Sequence, residues 1–448
     1  MRVVIIGGAA SGMTVASRIK KLSNQTEVIV IQKEDYVSLG ACGLPYFVSN
    51  KDLKPTDLLA RSVEQFNEQE IQIYTNSVVE KIDDQNKKIW YRKDNNLIEL
   101  SYDKLVISTG AKPITPKVKG IELDNIFTLT RLEDGIKLKE KLNNNSIKKV
   151  AVIGSGFIGL ECLEMLAEFN KEIVLIEKES QLNKKVFDKE ITDLLEENLI
   201  KNNINIIKNN GLAYFEKSNK NKIDIVLEDD SSLEVDLVIL AIGFAPATQF
   251  LNDTNIEMLK NGAIVVDNKG RTNLNDIWSC GDCATSIHKL TKQNTYTPLA
   301  TVARKFAKVV ADDILEIDNQ YQGTLQTAIV KSFDSELAST GINETTAKQL
   351  NYEYKTVFIK DYDHPSYYAN PTPTRLALKL ILDTKTNTLL GAQMYGSNLS
   401  VMRINFLVSL IWNQIKIDDA LTQIDLPYAP PFSRVVDIIH IALEKLLK

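Results

Sequence analysis

Short apolar runs alternate with polar turns along the whole chain, and two of the runs lead directly into glycine-rich turns. The first, Arg2-Val3-Val4-Ile5-Ile6, precedes Gly7-Gly8-Ala9-Ala10-Ser11-Gly12, and the second, Lys149-Val150-Ala151-Val152-Ile153, precedes Gly154-Ser155-Gly156-Phe157-Ile158-Gly159. Runs of this length and composition predict buried parallel strands, and each turn opens a predicted helix. Because the amides and the positive dipole end of such a helix bind pyrophosphate, the two patterns predict two dinucleotide sites.

The two sites differ at the residue that follows their second predicted strand. Glu177 occupies this position in the second site, where a carboxylate accepts hydrogen bonds from a ribose 2′-hydroxyl, so we expect NADH there. The neighbouring Lys178 could meet a 2′-phosphate instead, which keeps NADPH as the alternative. In the first site Gln32 replaces the usual carboxylate and Ala9 replaces the middle glycine. We expect Gln32 to bind a ribose less strongly.

Later segments extend this α/β pattern to the end of the chain. Strand patterns at 102–111 and 235–243 close the two units, and Gly281-Asp282 places after a short strand a carboxylate that could bind a ribityl hydroxyl. From about Gly323 the strands and helices read as a separate α+β region. We therefore predict two Rossmann-like domains, 1–115 with 250–322 and 116–249, and a third domain, 323–448.

Composition excludes several other classes of protein. The 448 residues carry a formal charge of −5, from 53 basic and 58 acidic residues, which argues against a general nucleic-acid binder. No run is apolar and long enough to span a bilayer, and Met1 leads directly into the first strand, so we expect a cytoplasmic protein without membrane contact. With four cysteines and three histidines, we predict neither a disulfide framework nor a metal site.

Cys42 is the strongest candidate for chemistry. It lies between Gly40 and Gly43, in the loop after the first nucleotide strand, and no second cysteine lies a few residues away. A buried, inert thiol is the alternative. The position predicts a redox thiol that cycles alone, as a mixed disulfide with a small thiol or as a sulfenic acid. Cys280 and Cys283 have dithiol spacing but overlap Gly281-Asp282, and we predict Cys162 in the core.

These motifs resemble the FAD-dependent pyridine nucleotide-disulfide oxidoreductases. The resemblance extends over essentially the whole chain and includes Ser38-Leu39-Gly40-Ala41-Cys42-Gly43-Leu44-Pro45-Tyr46, Ser108-Thr109-Gly110-Ala111 and the stretch 426–433. The chain is most similar to the single-cysteine branch, which holds coenzyme A disulfide reductases, NADH oxidases and NADH peroxidases. The resemblance implies FAD in the first site, NAD(P)H in the second, and a C-terminal dimerisation domain that completes the partner's active site in a homodimer.

The resemblance also implies roles for individual residues. The flavin site is assigned to Gly7, Gly8, Ala9, Ala10, Ser11, Gly12, Gln32, Lys33, Ser38, Val79, Thr109, Gly110, Ala111, Arg131, Gly281, Asp282, Leu299 and Ala300. The pyridine nucleotide site is assigned to Gly154, Gly156, Phe157, Ile158, Gly159, Glu177, Lys178 and Gly243. The implied catalytic residues are Cys42, Tyr367, Tyr368 and Tyr428, with interface packing as the alternative for the tyrosines. Coenzyme A phosphates could meet Thr14, Arg18 and Lys21, for which a solvated helix end is the alternative.

Within this branch the residues favour a reductase of coenzyme A disulfide or of a related disulfide or persulfide. Similar oxidases and peroxidases usually have a histidine where this chain has Ala10, although coenzyme A reductases often have an asparagine where it has Ala41. Two alternatives stay open. One is an NADH oxidase that reduces oxygen through the flavin and a Cys42 sulfenic acid. The other is a flavin-based redox sensor without catalytic turnover.

Overall fold

Residues 1–218 and 222–448 are described by a computed structural model. They divide into two units, the first formed by Met1–Ile114, Thr130–Lys137 and Gly243–Thr324, and the second by Thr115–Leu129, Leu138–Ile242 and Leu325–Lys448. The first unit resembles the predicted first domain in extent, and the second holds most of the regions 116–249 and 323–448. The division into three domains stays a prediction. No helix within the described ranges combines the length and apolar character needed to cross a membrane.

The strands and helices are numbered in chain order. The strands are β1 Arg2–Ile6, β2 Glu27–Ile31, β3 Ile71–Tyr74, β4 Val78–Asp83, β5 Lys88–Lys93, β6 Asn96–Ser101, β7 Lys104–Ile107, β8 Ala111–Pro113, β9 Ile126–Phe127, β10 Lys149–Ile153, β11 Glu172–Ile176, β12 Asn205–Ile207, β13 Leu212–Lys217, β14 Ile223–Leu227, β15 Ser232–Val235, β16 Leu237–Leu240, β17 Phe244–Pro246, β18 Ile277–Ser279, β19 Thr285–Ile287, β20 Asn294–Tyr296, β21 Ala328–Ser332, β22 Ser335–Gly341, β23 Tyr354–Tyr362, β24 Arg375–Asp383 and β25 Thr388–Gly396. The helices are α1 Ala10–Leu22, α2 Leu44–Ser49, α3 Val63–Asn67, α4 Leu132–Leu142, α5 Phe157–Ala167, α6 Lys189–Lys201, α7 Ala300–Ile314, α8 Glu344–Gln349, α9 Ile404–Trp412 and α10 Ile438–Leu447.

The first unit is built on a five-stranded parallel sheet in the order β18-β7-β1-β2-β3. Val3, Val4 and Ile5 of β1 are fully buried, as expected for a central strand with both faces covered. Helices α1 and α7 pack against each other. Because β1 ends at the first glycine turn and α1 follows it, this sheet fixes the position of the first predicted dinucleotide site.

The second unit contains two five-stranded sheets. The parallel sheet has the order β12-β11-β10-β16-β9 and places the second glycine turn between β10 and α5. The antiparallel sheet has the order β21-β22-β25-β24-β23, and α9 and α10 pack on its strands. The predicted α/β class, with two nucleotide-binding folds and a C-terminal α+β region, is confirmed.

A buried ion cluster joins the start of α6 to the antiparallel sheet within the second unit. Lys379 of β24 is fully buried, and its Nζ lies 2.8 Å from Glu190 Oε2, 3.4 Å from Asp188 Oδ2 and within hydrogen-bonding contact of Glu344. Burial lowers the pKa of the Lys379 ammonium, but the hydrogen bonds with Glu190 and Glu344 and the charges of Asp188 and Glu190 together outweigh burial and raise the pKa above its ordinary value. The Lys379 ammonium therefore stays protonated at neutral pH.

Candidate active site

The first glycine turn has the geometry of a pyrophosphate cradle. Gly7 has a φ of +106°, and a Cβ on it would overlap the Ser108 carbonyl oxygen, so only glycine fits there. No side chain of the described residues caps α1 at Ala9, which leaves its first amides available to an anion. The Gly8 amide instead donates a hydrogen bond of 2.6 Å to Gln32 Oε1.

Several other residues predicted for the flavin site fit a polar ligand. Thr109 Oγ1 is buried and has no hydrogen-bond partner in the described chain other than the weak thiol of Cys283 beside it. Burial raises the pKa of Asp282 to about 6, because the charged carboxylate is costly to remove from water. Hydrogen bonds from the hydroxyls of a ribityl chain would offset this desolvation cost. At Gly110 (φ +68°) a Cβ would meet no heavy atom of the described residues within 4 Å. These residues fit FAD. Leu299 and Ala300, also predicted for this site, are the N-cap and the first residue of α7.

Four further predicted side chains have partners inside the first unit. Ser11 Oγ shares a hydrogen bond of 2.6 Å with Ser108 Oγ, and Thr14 Oγ1 donates to the Ala10 carbonyl at 2.6 Å. Arg18 forms two hydrogen bonds with the buried carboxylate of Asp312, at 2.5 and 2.7 Å. Val79 lies in the core. The ion pair leaves Arg18 fewer donors for a substrate phosphate, and the roles of Thr14, Arg18 and Lys21 stay predictions.

Cys42 lies on a single 3₁₀ turn, Ala41–Gly43, that leads into α2. The turn is exposed, and Gly43 joins it to α2 as the N-cap residue. Leu44 and Phe47 are buried and anchor the segment in the first unit. A thiol on the surface of a fixed turn is accessible to a small disulfide, whereas a core cysteine would not be.

The second glycine turn has the same arrangement as the first, except that the carboxylate of Glu177 replaces the side-chain amide of Gln32. Glu177 Oε2 accepts a hydrogen bond of 2.9 Å from the Ser155 amide and another from Ser155 Oγ. Glu177 Oε1 accepts from the Glu179 amide at 2.9 Å. At Gly156 a Cβ would meet no heavy atom of the described residues within 4 Å, so the N-terminus of α5, Phe157-Ile158-Gly159, is open to a ligand. Gly243, also predicted for this site, lies in the first unit.

Two ionisable side chains lie close to this turn in sequence, and one of them, Lys178, affects the expected preference between NADH and NADPH. Lys178 Nζ donates a hydrogen bond of 2.6 Å to Glu228 Oε1, so the cation that could meet a 2′-phosphate already has an anion beside it. On α5, burial and then the charge of Glu164 raise the pKa of Glu161 to about 7. A carboxyl with this pKa exchanges protons readily near neutral pH.

The C-terminal tyrosines separate into a pair and a single ring. The Tyr367 and Tyr428 hydroxyls are 2.5 Å apart, and both side chains are exposed. This hydrogen bond raises the pKa of Tyr428. Tyr368 packs edge-on against His364, at 5.6 Å between ring centroids, and does not join the pair. The three tyrosines belong to the second unit, and their catalytic role stays a prediction.

The remaining cysteines are buried thiols, and the described residues contain no disulfide. Cys280 and Cys283 are both fully buried, and burial raises the pKa of each thiol. Cys162 is fully buried on α5, and burial raises its pKa as well. Raised thiol pKa values disfavour the reactive thiolate, so these cysteines are less suited to disulfide exchange than an exposed one.

Three residues at the turns were not among the predictions. Ser155 Oγ accepts a hydrogen bond of 2.8 Å from the backbone N–H of Asn183. The side-chain Nδ2 of Asn183 is buried without a partner among the described residues. Glu34 accepts a hydrogen bond of 2.9 Å from Gln32 Nε2. Ser155 could have been found because it lies inside the turn motif. No sequence pattern marks Asn183 or Glu34.

The family follows from comparison with known proteins. Residues 1–307 match the family described as pyridine nucleotide-disulphide oxidoreductase, and residues 327–438 match the dimerisation domain of that family. The chain therefore belongs to the pyridine nucleotide-disulphide oxidoreductases, and the predicted family is confirmed. Membership makes it an oxidoreductase and implies FAD and NAD(P)H as its cofactors.

Relatives within the family include both predicted kinds of enzyme. The chain is 32% identical over 448 residues to the NAD(P)H coenzyme A polysulfide/persulfide reductase of Pyrococcus horikoshii, covering 100% of this chain and 98% of that protein. It is 32% identical over 443 residues to the coenzyme A disulfide reductase of Staphylococcus aureus, covering 98% of each. The structure of an NAD-dependent persulfide reductase from A. fulgidus matches with a TM-score of 0.95 and 32% identity, over 100% of this chain and 83% of that one. Relatives named NADH oxidase also match.

Replacing Glu177 by alanine should weaken NADH binding about tenfold to a hundredfold, since a hydrogen bond to a charged group contributes about 1.5–3 kcal/mol. NADPH binding should change less, because its 2′-phosphate cannot donate the lost bond. The check is the KM for each nucleotide in the purified variant. Glu179→Ala is the control, because the Glu179 side chain pairs with Lys184 on the surface. An unchanged ratio of the two KM values in Glu177→Ala would contradict the assignment.

Proposed function

We propose that this protein reduces coenzyme A disulfide, or a related small disulfide or persulfide, with electrons from NADH and with Cys42 as the reacting thiol. The observation that carries the proposal is the exposed position of Cys42 in the unit that holds the flavin cradle. The names of the reductase relatives support this class of substrate.

The chemistry at Cys42 is thiol–disulfide exchange. The Cys42 thiolate attacks one sulfur of the disulfide, forms a mixed disulfide with that half and releases the other half as a thiolate. Two electrons and two protons then convert the mixed disulfide into the Cys42 thiol and a second free thiol. FAD, when bound, would pass these two electrons from NADH to the mixed disulfide. Each turnover therefore consumes one NADH, one proton and one disulfide, and releases two thiols.

We assign proton donation at the departing sulfur to the pair of hydroxyls on Tyr367 and Tyr428. One hydroxyl donates to the other, so one phenol proton and the outer lone pairs stay available to a ligand. Both tyrosines lie within the matched dimerisation domain, and we propose that they serve Cys42 of the partner subunit in a homodimer. Tyr368, which packs on His364, then positions the loop that carries Tyr367.

We assign NADH rather than NADPH to the second site. The Glu177 carboxylate is held in place by Ser155 and would lie opposite a 2′-phosphate of the same charge. Lys178, the nearest cation in sequence, is paired with Glu228. Both observations favour a ribose with a hydroxyl at that position.

The test is anaerobic consumption of NADH by the purified protein, with and without coenzyme A disulfide. We expect rapid consumption only with the disulfide, together with the release of two thiols for each NADH. If NADH is consumed only after air is admitted, and at a rate that the disulfide does not change, the activity is instead that of an NADH oxidase, the name that other relatives carry. Slow turnover with every acceptor would favour a redox sensor.

A further inference from the structure

Gln32 stands where a ribose-binding carboxylate is expected, and its hydrogen bonds are already committed. The side chain is buried, and its Oε1 accepts from the Gly8 amide at 2.6 Å. Its Nε2 donates to Glu34 Oε2 at 2.9 Å and to the Tyr36 carbonyl at 3.1 Å. A side-chain amide has two N–H donors, so both are used, and only one lone pair on Oε1 is left for a ligand.

The second glycine turn provides an internal comparison. There Glu177 accepts a hydrogen bond from the backbone N–H of Ser155, just as Gln32 accepts one from the backbone N–H of Gly8. The residue at this position therefore orders the glycine turn in both units. A carboxylate has about four lone-pair sites, and the three hydrogen bonds at Glu177 leave capacity for a ribose hydroxyl. The first unit keeps the hydrogen bond to the glycine turn, but at position 32 it lacks an ionised acceptor for the ribose.

Glu34 supplies an ionisable acceptor two residues further on. Its side chain is 21% exposed, its Oε2 is held by Gln32, and its Oε1 lies 3.6 Å from Arg131 Nε. The carboxylate is thus fixed by an amide on one oxygen and faces a cation on the other. It retains lone pairs that these two neighbours do not use.

We infer that Glu34, positioned by Gln32, is the carboxylate that accepts the hydrogen bonds of the adenosine ribose of FAD in this protein. The inference rests on the proposed assignment of FAD to the first unit. It gives Gln32 a positioning role, since the amide orients the Glu34 carboxylate and the glycine turn at the same time. A hydrogen bond to a carboxylate is stronger than one to a neutral amide, which compensates for the glutamine at position 32.

The test compares FAD with an FAD analogue that carries 2′,3′-dideoxyadenosine, each titrated into the apoprotein and followed by flavin fluorescence. The parent should bind FAD at least about tenfold more tightly than the analogue. Glu34→Gln should weaken FAD binding by about the same factor and bind the two flavins almost equally. A purely structural role for Glu34 would weaken both flavins together and keep the parent's preference.

Two further variants complete the design. Glu133→Gln removes a carboxylate that accepts from Tyr36 in the same part of the unit, and it should keep the parent's preference. The exchange Gln32→Glu with Glu34→Gln returns the carboxylate to position 32 and should restore the preference. If Glu34→Gln retains the preference, or if it does not fold and the exchanged variant folds without the preference, the inference is wrong. A parent protein that binds no FAD would instead refute the proposed function.

Discussion

Replacing Cys42 by serine should lower NADH-dependent reduction of coenzyme A disulfide by a factor of at least about 1000. A serine hydroxyl forms no disulfide, and it is not ionised at neutral pH, so neither the attack nor the mixed disulfide is available. FAD should stay bound, because Gly7, Thr109 and Asp282, which are predicted to hold it, are unchanged. The measurement is the anaerobic steady-state rate, together with the flavin absorbance of the purified variant.

Ala41→Ser is the matched control for this prediction. It adds a hydroxyl to the same exposed turn but keeps the thiol, so it should retain most of the parent's rate. A Cys42→Ser variant that reduces the disulfide at the parent's rate would refute the role of Cys42. If the variant loses disulfide reduction but still consumes NADH with oxygen, oxygen reacts without the thiol.

Replacing Lys379 by methionine should lower the free energy of unfolding by about 3–5 kcal/mol, the cost of breaking a buried ion pair by removing one partner. Asp188, Glu190 and Glu344 would lose the cation that all three contact. Methionine has a similar length, so lost packing contributes little. The measurement is urea unfolding followed by far-ultraviolet circular dichroism, with the free energy taken from linear extrapolation.

Lys385→Met is the control because Lys385 pairs with Glu353 on the surface, where both side chains are about two-thirds exposed. Solvent screens such a pair, so its loss should leave the unfolding midpoint within experimental error. A Lys379→Met variant as stable as the parent would mean that repulsion among the three carboxylates is relieved in another way, such as protonation. Its stability would then rise as the pH falls.

The two glycine turns show which features of the fold a local sequence pattern can predict. The apolar runs predicted β1 and β10, and the glycines that follow them predicted the turns that lead into α1 and α5. The pattern suffices here because the constraint is local: Gly7 needs a positive φ and close contact with a neighbouring strand, and no other residue tolerates both. The same pattern could not assign Gln32, since its partners Gly8 and Glu34 appear only when the turn and strand are folded together.

Sequence by itself thus predicted the class of fold and the family, both of which are confirmed, and marked the two glycine turns and Cys42 as candidate sites, because each of these motifs is a short run of neighbouring residues. The tertiary structure alone decided which side chains are committed elsewhere. Arg18 pairs with Asp312 across 294 residues, Tyr367 meets Tyr428 across 61, and Lys379 gathers carboxylates from two other segments. Such contacts depend on how strands and helices pack. The sequence does not predict them, because the type of an ionic residue does not show whether its side chain is exposed or buried.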